Sequence, residues 1–221
     1  AVLQVEPFML RDCSADEVRR LLPGAGVADI TRLGKFIVVR LEGDGRLYLT
    51  LHLGMTGQIL LLPTPGRAEG LPAAAAVGRA DDGEGRRHAH TRFMFRLRSC
   101  DGVPVLLEFR DARKFGRLHL TTGGPAPRLF GLGPDAWQGE WDVDHLAARL
   151  AGRRVPLKAF LLDQRHLAGI GNIYADEILW WTGLSPLRQA GTLDAEEVDR
   201  LAGEIRRRLG DEILERLVDP L

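Results

Sequence analysis

The chain reads as an α+β protein with sheet first and helix second. Three observations predict this. From Lys35 to about Leu120, short β-branched and aromatic runs alternate with turn residues. After the Gly/Pro cluster GGPAPRLFGLGP (123–134) the apolar period becomes helical. The 221 residues, 45% of them apolar, suffice to fill a core in each half.

In the first half, FIVVRL (36–41) and RLYLTLHL (46–53) flank Glu42-Gly43-Asp44-Gly45, and RFMFRLRS (92–99) and VPVLLEFR (103–110) flank Asp101-Gly102. Both pairs predict antiparallel hairpins, which close into a sandwich or a barrel. Residues 63–90 are rich in Pro, Gly, Ala and Arg with little to bury, and predict a long loop. In the second half, DVDHLAARLA and PLKAFLLDQ predict short helices, with Pro156 suited to a first turn. Asn172 is placed to cap a third, IYADEILWWTG, which Gly183 and Pro186 end. A last helix starts near Asp194, whose spacing to Glu197 suits a capping box, with Val198, Leu201, Ile205 and Leu209 on one face. The division falls into 1–136 and 137–221.

Thirty Lys plus Arg balance thirty Asp plus Glu, so net charge alone does not point to a polyanion. The distribution is uneven. From Arg86 to His119 nine basic residues face three acids, whereas from Asp194 to Asp219 nine acids face five arginines. The first run can offer a basic strand face to phosphates, or simply a solvated one. No stretch reaches the eighteen or so apolar residues of a membrane span, and the start, AVLQVEPFMLRDC, lacks signal-peptide order. The expectation is therefore a monomeric, cytoplasmic protein with no membrane association. Cys13 and Cys100 are isolated, without a C-x-x-C pair, and predict two buried, inert thiols and no zinc ribbon.

The most informative stretch is LLDQRHLAGIGNIYADEILWWTGLSP (161–186). Glycines ahead of a helix let the backbone approach a ligand, and the free N–H groups of the first turn favour an anion such as phosphate. Gly169 and Gly171 are equally explained by a tight helix junction that needs their dihedrals. Helix-hairpin-helix modules, a ribosomal protein of the small-subunit head and helix–two-turns–helix domains all place G-x-G before a helix. The longer stretch PLKAFLLDQRHLAGIGNIYADEILWWTGLSP closely resembles the helix–two-turns–helix segment of the Fpg/Nei family, the formamidopyrimidine-DNA glycosylases. GKFIVVRL (34–41), LHLGMTGQIL (51–60) and FRDARKFGRL (109–118) match in order, and HLGMTG and RKFG favour the Fpg branch.

The resemblance implies an N-terminal antiparallel β-sandwich followed by a helix–two-turns–helix domain. It also implies a base-excision-repair glycosylase and AP lyase that recognises 8-oxoguanine and formamidopyrimidines in duplex DNA, or abasic sites, by base flipping. Residues matching Met55, Arg113 and Phe115 fill the gap left by the flipped base. Lys35 matches a residue with a phosphate or proton role. Asn172, with Gly169 and Gly171, grips the DNA backbone, and Lys114, Lys158, His88 and His90 match positions near DNA. Asp163 and Glu177 read as capping and ion-pair residues. The family's nucleophilic N-terminal proline and zinc finger have no match here: Pro7 is internal, with an amide nitrogen. The expectation is therefore a chain without cofactor and impaired in catalysis, with zinc in full-length members, and nucleoid-associated if bacterial. Ala112 stands where the family usually has proline. A non-catalytic nucleic-acid-binding module is the alternative. An RNA-binding protein sharing only the glycine turn would carry a strong positive charge that this chain lacks.

Overall fold

The computed structural model describes residues 1–43, 46–64, 88–125 and 131–218, with side chains followed to residue 210. Most of the expected 63–90 loop and the centre of the first hairpin turn lie outside the described residues. The chain divides into a β unit, Ala1–Arg32 with Phe36–Ala126, and a helical unit, Leu33–Lys35 with Pro127–Leu221.

The β unit runs β1 (Val2–Val5), β2 (Leu10–Arg11), α1 (Ala15–Leu21), β3 (Val27–Leu33), β4 (Phe36–Leu41), β5 (Leu47–His52), β6 (Gln58–Pro63), β7 (Thr91–Arg98), β8 (Pro104–Arg110) and β9 (Arg117–Thr122). Two sheets form, in the orders β1-β7-β8-β6 and β2-β9-β5-β4-β3. Both expected hairpins are present: β4 pairs antiparallel with β5, Val38 opposite Thr50, and β7 with β8, Phe95 opposite Leu107. One pair departs from the antiparallel pattern, the two-residue β2 lying parallel to β9. Phe93, Phe95 and Phe109 from one sheet and Leu49, Leu51, Leu118 and Leu120 from the other meet in a single buried cluster with Val18 of α1. Phe93 stacks on Phe95 and Phe109 at centroid distances of 4.8 and 5.0 Å. Full burial of each such side chain contributes about 1.5–3 kcal/mol. Helix α1 is opened by a Ser14–Glu17 capping box.

Of the two cysteines, Cys13 is partly buried, and burial raises its thiol pKa. Cys100 is exposed, against expectation, because it sits in the β7–β8 hairpin turn closed by the Ser99 N–H to the Val103 carbonyl.

The helical unit contains α2 (Val143–Leu150), α3 (Leu157–Leu162), α4 (Asn172–Thr182) and α5 (Ala195–Val218). Asp142 caps α2 through the His145 N–H. Pro156 precedes α3, and Gly183, at φ 69°, ends α4 in the left-handed conformation glycine favours. Asp194 and Glu197 form the expected box: the Glu197 N–H donates to Asp194 Oδ1, and the Asp194 N–H to Glu197 Oε2. Val198, Leu201, Ile205 and Leu209 are all buried, against Leu146, Phe160, Ile170 and Ile178. Among the described residues no helix is long and apolar enough to cross a membrane.

Candidate nucleic-acid interface

In the β unit, Met55 lies in the loop from β5 to β6, and Arg113, Lys114 and Phe115 in the loop from β8 to β9. One carboxylate joins the loops. Asp111, 1% exposed, accepts hydrogen bonds from the Thr56 hydroxyl at 2.6 Å, the Gly116 N–H at 2.7 Å and the Arg113 N–H at 3.2 Å. Burial alone would raise its carboxyl pKa. The hydrogen bonds from Thr56 and from the backbone of Gly116, Arg113 and Phe115 outweigh that and hold it below the ordinary range. Gly54, at φ 70°, seals the contact: a Cβ there would lie 2.8 Å from the Phe115 carbonyl carbon and 2.9 Å from the Gly116 nitrogen. The Gly54 N–H donates to His52 Nδ1 at 3.0 Å, fixing the entry to Met55.

The result is a pair of rigid loops with apolar tips. Met55 is 66% and Phe115 44% exposed, far more than core residues would be, and the Arg113 guanidinium stands 5.0 Å from the Phe115 ring centre. Lys114 adopts φ 61°, and its ammonium lies 5.5 Å from the ring centre of the part-exposed Phe8. His88 and His90 are exposed, their rings 5.3 Å apart. The His90 carbonyl accepts from the Asp111 N–H, which ties this segment to the same bracket. The basic run is not one free face. Arg92 donates to the Asp111 carbonyl and Arg110 pairs with the buried Glu108, so both are structural.

In the helical unit, Lys35 follows Gly34, whose N–H donates to Asp135 Oδ2 at 2.8 Å. Asp135 also accepts the Trp137 and Gln138 N–H groups at 3.0 Å. Gly34, at φ 57°, packs so closely on Ala168 and Gly169 that a Cβ would come within 3.0 Å of the Ala168 Cβ. This seats the Lys35 amine beside Gly171, 3.6 Å from where a Cβ there would be. Lys35 is half-buried, and burial lowers its pKa from the ordinary lysine value.

The glycine turn is braced by Gln164, which accepts the Gly169 N–H at 2.9 Å and donates to the Leu162 and Ile170 carbonyls at 2.8 and 3.0 Å. The two glycines differ. Gly169 has φ 116°, which demands glycine, whereas Gly171 has φ −107°, and a Cβ there would meet the Lys35 amine at an ordinary van der Waals distance. Gly171, not Asn172, is the cap of α4. Asn172 is the first helical residue and makes no capping bond, since its side chain already lies past the backbone N–H groups it would need to reach. The N–H groups of Asn172 and Ile173 have no acceptor among the described residues, so the helix presents free donors there. Lys158 is held in an ion pair with Asp176, 2.7 Å away on α4.

Asp163 and His166 shape the same turn. Arg165 donates to the Asp163 carboxylate through its side chain at 2.6 and 2.9 Å, lowering the Asp163 pKa to about 2, and burial lowers that of His166. Glu177 is partly buried on α4. Asp163 therefore contributes stability that is complete above its unfolded value near 3.8 and is lost as pH falls towards 2. In acid titrations of thermal stability, Asp163→Asn is expected to remove the part of the decline between about pH 4 and 2; an unchanged decline would place the acid-labile groups elsewhere.

Asp111, Thr56, His52, Asp135 and Gln164 are site-building residues that the sequence motifs did not single out. Among the described residues no group of three His, Cys, Asp or Glu side chains converges.

Comparison with known proteins gives a consistent match. The family model described as the formamidopyrimidine-DNA glycosylase N-terminal domain matches residues 1–118, more than half of the chain, and that of the formamidopyrimidine-DNA glycosylase H2TH domain matches residues 132–216. The formamidopyrimidine-DNA glycosylase of Moorella thermoacetica is 41% identical over 200 residues, covering 89% of this chain and 64% of that protein. That of Stenotrophomonas maltophilia is 38% identical over 197 residues, covering 88% and 63%. The chain thus spans just under two thirds of these relatives. Among solved structures, Lactococcus lactis formamidopyrimidine-DNA glycosylase bound non-covalently to DNA containing an AP site shares the fold, with a TM-score of 0.78 and 23% identity over 97% of this chain and 73% of that one. The same enzyme with DNA containing Fapy-dG gives a TM-score of 0.76 and 22% identity, over 97% and 72%. The chain belongs to the formamidopyrimidine-DNA glycosylase family.

Proposed function

We propose that this chain is the DNA-recognition body of a glycosylase and AP lyase acting on oxidised purines, 8-oxoguanine and formamidopyrimidines, and on abasic sites in duplex DNA. The observation that carries the reading is the Asp111 bracket, which fixes the exposed Met55, Arg113 and Phe115 on two joined loops. Flipping a base costs a few kcal/mol of stacking and leaves a gap. Rigid apolar tips offset that cost by entering the gap, and the Arg113 guanidinium offers donors to the unpaired base opposite. A merely structural loop would bury Met55 and Phe115.

The second part of the reading is backbone capture. The free N–H groups at the start of α4, the Asn172 side chain and Lys35 suit a phosphate that Gly169 and Gly171 allow to come close. Lys114, His88 and His90 provide further phosphate contacts in the β unit, and Lys158 does so if it exchanges Asp176 for phosphate. Recognition needs no cofactor, a monomer suffices, and the protein acts where the DNA is, in the cytoplasm or nucleoid of a bacterium.

The test is fluorescence anisotropy against two duplexes that differ only in a tetrahydrofuran abasic analogue. Tighter binding to the abasic duplex is expected. Met55→Ala, Arg113→Ala and Phe115→Ala should each cut that preference by about tenfold, roughly 1.4 kcal/mol. Equal loss on both duplexes would instead identify a general nucleic-acid binder, and a flat salt dependence would reject phosphate capture.

A further inference from the structure

The turn Pro7–Met9, which follows β1, sends one large apolar side chain outward. Met9 and Leu10 are buried, 1% and 7% exposed, whereas Phe8 is 36% exposed. The backbone there is fixed. The Met9 N–H donates to the Glu6 carbonyl at 3.1 Å, the Glu6 N–H to the Arg92 carbonyl at 2.9 Å, and Arg11 Nη1 to the Phe8 carbonyl at 3.2 Å. Two cations meet the exposed ring: the Arg92 guanidinium carbon stands 5.9 Å from its centre and the Lys114 ammonium 5.5 Å. Arg92 is held in place, since it is 9% exposed and its Nε donates to the Asp111 carbonyl at 2.8 Å. The ring is thereby tied to the residue that joins the Met55 and Phe115 loops.

Lys114 is fixed at its backbone as well. It holds φ 61°, a conformation that costs energy for a residue with a side chain, and its carbonyl accepts from Arg117 Nη1 at 3.0 Å. Its ammonium has no carboxylate partner among the described residues; the Phe8 ring is what meets it. Lys158 makes the contrast, held by Asp176 at 2.7 Å. A carboxylate cancels a lysine's charge and must be displaced before phosphate can bind. An aromatic face attracts the ammonium through its quadrupole, leaves the charge whole and leaves the N–H donors on the far side free.

We propose that Phe8 is a positioning residue, whose ring holds the Lys114 ammonium ready for a DNA phosphate. This rests on the reading that the chain binds duplex DNA with Lys114 at the backbone. A lysine on a loop loses the rotamer freedom of its long side chain when it grips phosphate, and the ring removes part of that loss before DNA arrives. Phosphate contacts carry no lesion information, so Phe8 serves intact and abasic duplex alike. That separates it from Met55, Arg113 and Phe115, which act on the gap.

The experiment measures anisotropy of the whole chain against intact and tetrahydrofuran duplexes over a salt series, with thermal midpoints on the same preparations. The chains are the parent, Phe8→Leu, Phe8→Tyr, Lys114→Gln and the double variant Phe8→Leu with Lys114→Gln. Phe8→Leu keeps apolar bulk without a π face. It is expected to weaken binding to both duplexes about threefold at low salt, with the midpoint unchanged. It should also make the salt dependence shallower, by up to about 0.9 in log–log slope for one phosphate. An uncharged residue changes that slope only through a charge it places. Phe8→Tyr keeps the ring face and should restore the parent's affinity and slope. In the Lys114→Gln background Phe8→Leu should cost nothing more. An equal loss in that background would show that the ring itself touches DNA and overturns the proposal, as does a Phe8→Leu chain with the parent's affinity and slope. Either result beside a parent that binds with steep salt dependence rejects the role of Phe8 alone. A parent that binds neither duplex rejects the DNA reading with it.

Discussion

Asp111→Ala is expected to destabilise the β unit by about 3 kcal/mol or more and to abolish any preference for abasic over intact duplex. The carboxylate is 1% exposed and receives three donors, two from backbone N–H groups and one from a hydroxyl. Alanine leaves the Gly116 N–H buried without its acceptor, and a lost bond to a charged group costs roughly 1.5–3 kcal/mol. The Met55 and Arg113–Phe115 loops are then joined by the Gly54 contact and by the longer hydrogen bond, 3.3 Å, from the Arg113 N–H to the Thr56 hydroxyl. Thr56→Val removes one of the three donors and should cost roughly 1 kcal/mol, with selectivity weakened but present. Asp111→Asn should fall between them, since its amide turns a donor towards either Gly116 or the Thr56 and Arg113 pair. Urea unfolding and anisotropy on the same preparations separate the two effects. If Asp111→Ala binds the abasic duplex as selectively as the parent, the bracket does not position the wedge. The sign with pH follows from the lowered carboxyl: this stability is complete above the unfolded Asp value and is lost as acid protonates the folded group.

Why Asp111 escaped the sequence reading is physical. Its decisive partner, Thr56, lies 55 positions away, and neither residue is unusual for a turn. Local signals were legible: both hairpins follow from their alternation and turn residues, and the Asp194–Glu197 box from a three-residue spacing. Before Lys35 no periodicity predicts β3, because its residues are exposed on both faces, and β2 is only two residues long. The Ser14–Glu17 capping box was readable and marks α1. The motifs named the wedge residues and the glycine turn by resemblance. The supports of those motifs are carboxylates and a carboxamide: Asp111 and Gln164 hold backbone N–H groups within five residues, while Asp111 also reaches the Thr56 hydroxyl and Asp135 the distant Gly34 N–H, and these leave no pattern. Gly171 shows the same limit: its sequence context equals that of Gly169, yet only the fold reveals that Gly169 needs its dihedral and Gly171 does not.

Gln164→Ala should weaken binding to the abasic duplex at least tenfold while costing only about 1–2 kcal/mol of stability, although Gln164 itself need touch no DNA. Its carboxamide closes a ring from the end of α3 to the start of α4, through the Leu162 carbonyl, the Gly169 N–H and the Ile170 carbonyl. The site is part-buried, so water can take over the released groups and the fold survives. What water cannot supply is the fixed path. Gly169 sits at φ 116° by virtue of this brace, and glycine freed from it spreads over conformations that point the α4 N–H groups away from a common phosphate. The loss should appear in affinity and in a shallower salt dependence, with little change in the thermal midpoint. Gln164→Glu discriminates further. It keeps an acceptor for the Gly169 N–H but sets a carboxylate oxygen against the Leu162 and Ile170 carbonyls, and adds negative charge beside the proposed phosphate. It should therefore bind worse than alanine. If glutamate instead restores binding, the Gly169 bond alone is sufficient, and the two donated bonds are incidental to the grip.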